Sequence, residues 1–158
     1  MAGNYTRLSD TLTSSEGSAF ITRDGQNRPM FELSSIKANI ELKIIARRML
    51  GHRMTQHKVI GGEGKGSCTL YLMNSDHLRA AQEYIKNGRM ENISIQLRNV
   101  DNQSTVGTQD VTLRNVVFNT LPITSLDDQS EDPITIETEF TFDDMDVLEM
   151  FKTPENYR

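Results

Sequence analysis

Apolar and polar residues alternate strictly from residue 36 to residue 44. Ile36, Ala38, Ile40, Leu42 and Ile44 occupy every second position, with lysine, asparagine and glutamate between them. Successive side chains of a strand point to opposite faces, whereas a helix would scatter these five residues around its circumference. The run therefore predicts a strand with one face on a core and one face in water, and a strand requires a sheet.

Shorter segments with strand character recur along the chain. The Asp24-Gly25 pair predicts a hairpin, with a turn at residues 24–27 between strands at residues 18–23 and 30–33. Further strands are predicted at residues 68–73, 93–97 and 134–142. Another is predicted at residues 111–118, with a change of phase near Val116 that indicates a bulge. Six to eight strands are expected.

One segment has the spacing of a helix. Ser75 is a suitable N-cap and Gly88 a suitable C-terminal cap, and Leu78, Ala81 and Ile85 form the predicted apolar stripe between them. The predicted fold class is therefore mainly β (α+β): a small β-sandwich or barrel-like domain with one α-helix. The chain has 158 residues, which suits one domain, and its 36% hydrophobic content predicts a lean core that gains stability from neighbours.

Charge is unevenly distributed. Residues 127–158 hold eleven acids and two bases, whereas residues 43–65 hold six bases and one acid. The basic segment interrupts the strand pattern from Arg47 to Gly66, and its glycine-rich end is predicted to be a flexible loop tip. Such a segment suits a protein partner, because separated charges fix register between copies of a self-assembling subunit.

No catalytic or metal-binding motif is recognisable. Val59 and Gly66 break the spacing of a phosphate-binding loop, and His52 and His57 have no nearby carboxylate or cysteine cluster. Cys68 alternates with apolar residues, which predicts a small core residue. We expect no enzymatic activity, no cofactor and no metal site. No apolar run reaches the length of a membrane span, and no signal peptide is evident.

Several motifs together resemble one family. Ala-Arg-Arg-Met-Leu-Gly-His-Arg begins at Ala46, and Gly-Glu-Gly-Lys-Gly-Ser-Cys-Thr-Leu-Tyr begins at Gly62; Val-Thr-Leu-x-x-Val-x-Phe from Val111 and an acidic aromatic motif at residues 139–146 follow. Their order resembles the tail tube proteins of phages, defective prophages and phage-tail-like bacteriocins of Gram-positive hosts. Ala46 stands where the family often has glycine. The resemblance covers residues 18–151.

The resemblance implies a structural virion protein. Its fold would be a β-sandwich with one helix, and its strands would complete a continuous β-barrel in a hexameric ring. Stacked rings would form a tube in the virion tail, assembled in the cytoplasm of the host bacterium, and DNA would cross the lumen without specific binding. Tail sheath, tape measure, baseplate and tail terminator proteins are the implied further partners. The expected division is a flexible arm at residues 1–17, a tail tube domain at 18–151 and a C-terminal tail at 152–158.

Two sets of site residues follow from this resemblance. A basic hairpin would join rings or subunits, and its predicted interface residues are Arg47, Arg48, Met49, His52, Arg53, Lys58 and Lys65. Glu137 and Glu139, on the polar side of their strand, are candidates to face the lumen. The alternatives are a secretion-system needle-tube or tail-completion subunit of the same fold, and a nucleic-acid-binding β-barrel module that uses the basic loop at residues 43–65.

Overall fold

The computed structural model describes residues 6–13, 17–129 and 131–154. Its elements are a 3-10 turn at Leu8–Asp10, one helix and eight strands. The strands are β1 (Gly17–Arg23), β2 (Gln26–Pro29), β3 (Leu33–Arg47), β4 (Gln56–Tyr71), β5 (Ile93–Val100), β6 (Thr108–Phe118), β7 (Thr135–Phe142) and β8 (Asp144–Glu149). The helix, α1, spans Asp76–Asn87. The mainly β fold class with one helix is confirmed.

Residue contacts divide the chain into two compact units. Unit 1 comprises the described parts of Met1–Phe31, Glu91–Val116 and Asp144–Arg158. Its strands follow the order β2-β1-β5-β6-β8, and every pair is antiparallel. Ile21, Ile95 and Leu113 are almost fully buried and form its centre. Buried side chains at every second position of β1 and β5 match the period of a strand with one face on a core.

Unit 2 comprises Glu32–Met90 and Val117–Asp143. Its strands run β3-β4-β7, and the last two residues of β6 pair with Thr141 and Phe140 of β7. The rings of Phe118 and Phe140 meet edge to face with centroids 6.0 Å apart, and His77 of α1 meets Phe118 with centroids 5.2 Å apart. These aromatic contacts place α1 against the sheet of unit 2.

The first hairpin differs from the sequence prediction in its turn. Asp24 and Gly25 both have positive φ, at 48° and 86°, which is typical of a two-residue type I′ turn. Strand β2 therefore begins at Gln26 and ends at Pro29. The predicted four-residue turn and the predicted strand at residues 30–33 were wrong. Two residues suffice here because the backbone twist of a type I′ turn matches the right-handed twist of the two strands that it joins.

The phase change in β6 is confirmed. The register between β5 and β6 shifts near Ile93, and Asn115 adopts φ of 55° opposite this shift. Asparagine tolerates left-handed backbone better than most residues, which suits it to a bulge.

Helix α1 has the predicted ends but not the predicted buried face. Ser75 and Gly88 flank it, and the amide of Gly88 donates to the carbonyl of Tyr84 at 2.8 Å. Its buried residues are His77, Ala80 and Ala81. The predicted stripe was wrong for Leu78 and Ile85, which are 44% and 78% exposed. The buried face of the helix therefore carries two small alanines, and the larger apolar side chains are exposed.

The predicted arm and tail lie partly outside the described residues, at 1–5, 14–16 and 155–158. Within residues 6–13, the amide of Thr13 donates to a carboxylate oxygen of Asp101 at 3.0 Å, and the carbonyl of Ser9 accepts from Thr105 at 3.0 Å. The amide of Lys152 donates to the carbonyl of Val106 at 2.8 Å. The division into arm, domain and tail stays a prediction.

Candidate subunit-interaction surface

Strands β3 and β4 form a hairpin that is longer than the rest of its sheet. The two strands pair from Leu33 with Leu70 to Arg47 with Gln56, whereas β7 pairs with β4 only between Gly64 and Tyr71. In the part of the chain that the structure describes, residues 41–63 therefore form a two-stranded ribbon, which we call the hairpin extension. At 3.3–3.4 Å per residue, its strands continue for roughly 23 Å beyond Ile40.

One face of the hairpin extension, together with the adjacent Ile40, is apolar and open to solvent. Ile40, Leu42 and Ile44 of β3 lie on the same face as Val59 of β4, and each is between 51% and 57% exposed. These four residues are called the apolar strip. The predicted strand is confirmed. The prediction that its whole apolar face lies on a core was wrong from Ile40 onward. Two-stranded ribbons are marginally stable alone, so the apolar strip is a surface suited to a partner.

The end of the hairpin extension brings most of the predicted interface residues together. Arg47, Arg48, Met49, His52 and Arg53 all lie at the turn between β3 and β4 and are exposed. The amide of His52 donates to the carbonyl of Met49 at 3.2 Å, and Gly51 has φ of 83°, which is typical of a type II turn. These residues and the adjacent Leu50 form what we call the basic tip.

The other two predicted interface residues lie away from the basic tip. Lys58 pairs with Ile45 on the shaft of the hairpin extension. The Lys65 ammonium lies 3.1 Å from a carboxylate oxygen of Glu41 and 3.7 Å from one of Glu63. The hydrogen bond and charge of Glu41, with the charge of Glu63, raise the pKa of Lys65. Lys65 is thus neutralised within its own subunit, which distinguishes it from the arginines of the tip.

The face opposite the apolar strip is polar across three strands. Glu137 and Glu139 of β7 are exposed, and they pair with Thr69 and Ser67 of β4. Lys37 of β3 pairs with Ser67, on the side of β4 away from β7. An open depression of about 590 Å³ is lined by these side chains. We call this surface the polar face; it carries Lys37, Asn39, Glu41, Glu63, Lys65, Ser67, Thr69, Glu137 and Glu139.

The glycine cluster is part of β4 and is not a loop tip, so that prediction was wrong. Gly64 and Gly66 pair with Phe142 and Phe140 of β7. A Cβ at Gly66 would lie 2.2 Å from the Phe140 ring, and one at Gly64 would lie 2.6 Å from the Phe142 ring. Glycine within a strand often marks such a close approach. The glycines therefore make room for two buried phenylalanines that cross β4.

Cys68 is buried, as predicted for a core residue. Burial, with a smaller contribution from the charge of Glu32, raises the pKa of the Cys68 thiol to about 11. The reactive thiolate is therefore scarce at neutral pH. Among residues 6–13, 17–129 and 131–154, no group of three or more His, Cys, Asp or Glu side chains is placed to hold a metal ion. In the same residues, no helix has the length and apolar character needed to cross a membrane.

Sequence reasoning missed three contributors to these surfaces. Lys37, Glu41 and Glu63 share the polar face with the candidate lumen residues, and cross-strand register alone brings them together. The alternation of β3 could have revealed Lys37 and Glu41, since it places both on the face of the strand that lacks the isoleucines. The sequence does not reveal that β3 pairs with β4 and that β4 in turn pairs with β7.

Comparison with known proteins identifies the family. A family model described as phage tail tube protein matches residues 4–149. The phage-like element PBSX protein XkdM of Bacillus subtilis (strain 168) is 34% identical over 143 residues, which are 90% of this chain and 94% of the relative. The uncharacterized protein YqbM of the same strain is 33% identical over 147 residues, 93% of this chain and 97% of the relative.

Solved structures share the fold at low sequence identity. One chain from the sheath–tube complex of an extracellular contractile injection system in its extended state has a TM-score of 0.64 and 14% identity, covering 91% of this chain and 100% of that chain. A chain from the anti-feeding prophage baseplate has a TM-score of 0.67 and 12% identity, covering 87% and 95%. With the family match over nearly the whole sequence, the chain belongs to the phage tail tube protein family and is a structural subunit of a tail tube.

Proposed function

We propose that six copies of this subunit close into a ring, and that the rings stack into a hollow tube in the tail of a virion or a bacteriocin-like particle. The hairpin extension is the observation that carries this proposal. It presents an apolar strip and a basic tip on a two-stranded ribbon that makes no other strand pairing within the described residues. Such a surface is a hazard in a monomer and a contact in an assembly.

The outer edge of β3 supports the lateral contact. Strand β3 has fifteen residues, and in the part of the chain that the structure describes it pairs on one side only, with β4. Its free edge presents backbone donors and acceptors that a strand of another copy can complete. Repeating this pairing around a closed ring would join the sheets into one barrel, whereas a contact between rings does not close and produces a filament.

The polar face supports the assignment of the lumen. It carries the carboxylates of Glu41, Glu63, Glu137 and Glu139, and the ammonium groups of Lys37 and Lys65. This mixture, with acids in excess, would repel a DNA backbone weakly and leave it free to slide. We propose that Glu137 and Glu139 face the lumen and that DNA crosses it without specific binding, or that the lumen is empty in a bacteriocin-like particle. The role is structural and requires no catalytic step.

The neighbouring structures support the choice of further partners. Chains of the same fold come from a sheath–tube complex, a baseplate and a tube-terminating cap. We propose that this subunit contacts sheath, tape measure, baseplate and terminator proteins in the same way, and that assembly takes place in the cytoplasm of the host bacterium.

Negative-stain electron microscopy of the concentrated protein tests the proposal. We expect rings or tubes of uniform width from the natural sequence. Reversing the basic tip with Arg47→Glu and Arg48→Glu should abolish tubes, while Lys86→Glu, in the last turn of α1, should leave tubes intact. Monomers that retard DNA in a salt-dependent gel shift would contradict the proposal and favour the nucleic-acid-binding module.

A further inference from the structure

The basic tip needs an acceptor, and unit 2 contains an apolar groove whose wall continues into an acidic loop. A groove of about 260 Å³ lies beside α1, and its apolar walls include Leu72, Leu78, Pro122, Ile123 and Ile136. Cavities of about 150 Å³ already accept a benzene ring, so this groove can hold one aliphatic side chain. Ile123 is 52% exposed, which leaves the groove accessible.

The loop that forms one wall of the groove is acidic. Residues 119–134 contain Asp127, Asp128, Glu131 and Asp132 and no basic residue. Asp127 and Asp128 are exposed and follow Ile123 by four and five residues. Glu32, a further carboxyl side chain, lines the groove from within. The apolar groove is therefore lined in part by the first residues of an acidic loop.

The basic tip is the complement of this surface. It carries Arg47, Arg48 and Arg53, and no acid occurs between residues 43 and 62. Leu50 stands at the second position of the turn that ends at His52 and is 106% exposed, so it projects ahead of the arginines. An apolar residue flanked by arginines thus has the chemistry that complements an apolar groove followed along the chain by acidic residues.

We infer that the basic tip of one copy docks on a second copy, with Leu50 in the groove beside α1 and the tip arginines against Asp127 and Asp128. This inference rests on the proposed function, since it names the acceptor for the contact between rings. The contact is heterologous and leaves a free tip at one end and a free groove at the other, so it propagates as a filament. Each contact is small, but six act together between two rings, which raises the overall affinity.

A charge swap tests the acceptor. Asp127→Arg with Asp128→Arg should reduce the mass of pelletable tubes by about ten-fold or more, because like charges then oppose each other at the contact. Adding Arg47→Glu and Arg48→Glu to the same chain should restore tubes. Glu83→Arg, on an exposed position of α1, is the control and should leave assembly intact. Normal tubes from the Asp127 and Asp128 variant, or no recovery in the swap, would overturn the inference.

Cross-linking gives an independent readout. In a Cys68→Ser background, Leu50→Cys and Ile123→Cys in one chain should form, on oxidation of assembled tubes, a ladder of oligomers beyond the dimer on a non-reducing gel. Either new cysteine alone should stop at the dimer. Absence of the ladder from tubes of normal width would overturn this acceptor and leave the proposed function standing. Absence of rings and tubes from the natural sequence would instead overturn the proposed function.

Discussion

At the level of single residues, glycine in β4 fixes how closely the sheet of unit 2 can pack. Gly66 lies beneath the Phe140 ring, and Phe140 is 1% exposed. A side chain at this position would compete with the ring for the same volume. The same glycine is therefore a packing residue, although a glycine-rich run in sequence usually indicates mobility.

Replacing this glycine by alanine should destabilise the subunit. In Gly66→Ala the new methyl group would lie 2.2 Å from the Phe140 ring and 2.7 Å from the Lys37 carbonyl. Overpacking of this kind typically costs about 1–3 kcal/mol of unfolding free energy. Urea denaturation of the unassembled subunit measures the loss. The matched control is Gly61→Ala, where no atom lies within 4 Å of the added methyl; an equal loss in both variants would contradict the packing role.

The reactivity of the Cys68 thiol depends on its burial, because burial raises its pKa. Its alternation with leucines predicted a core position, and the structure confirms it. The charge of Glu32, which is distant in sequence, also raises its pKa. Only the tertiary structure places this carboxyl near the thiol.

At the level of elements, the β3–β4 hairpin has two regions with different surroundings. Near Leu70 and Cys68 both strands belong to a sheet with a packed face. From Ile40 outward, the same alternation produces the solvent-exposed apolar strip. Local sequence reports which side chains share a face, but not whether another element covers that face.

Removing an apolar side chain from the apolar strip should impair assembly and leave the stability of the subunit nearly unchanged. Ile44→Ser removes a side chain that is 55% exposed, so the unfolding free energy of the isolated subunit should change by less than about 0.5 kcal/mol. Ring formation should nevertheless fall, because assembly is what would bury Ile44. Denaturation and electron microscopy measure the two effects.

The neighbouring Lys43→Ser variant provides the control for Ile44→Ser. Lys43 is exposed on the same strand, and its side chain points to the opposite face. Rings should persist in this variant. Equal loss of rings from both variants would show that any change in the hairpin extension is harmful, and the apolar strip would lose its special role.

At the level of the whole molecule, the polar face decides what a tube could contain. In the proposed assembly, each ring would repeat its acidic groups six times around the lumen. The fields of these repeated groups add, and their sum acts on a polyanion such as DNA.

Reversing that charge should convert a passive lumen into one that retains DNA. Glu137→Lys with Glu139→Lys should leave tube width unchanged, because both side chains are exposed. Tubes assembled with short labelled DNA should then protect it from nuclease, and protection should fall as salt rises. Protection equal to that of the natural sequence would argue against a lumen position for these residues.

The sequence by itself determined the type of most elements. Strict alternation identified β3, two caps identified the ends of α1, and ordered motifs identified the family, because these signals depend on neighbours in the chain. The tertiary structure decided which faces are covered: it placed the glycines under phenylalanines, exposed the apolar strip, and separated Lys65 from the basic tip through Glu41. The physical reason is that strand pairing joins residues far apart in sequence, and the alternation of one strand contains no record of its partner.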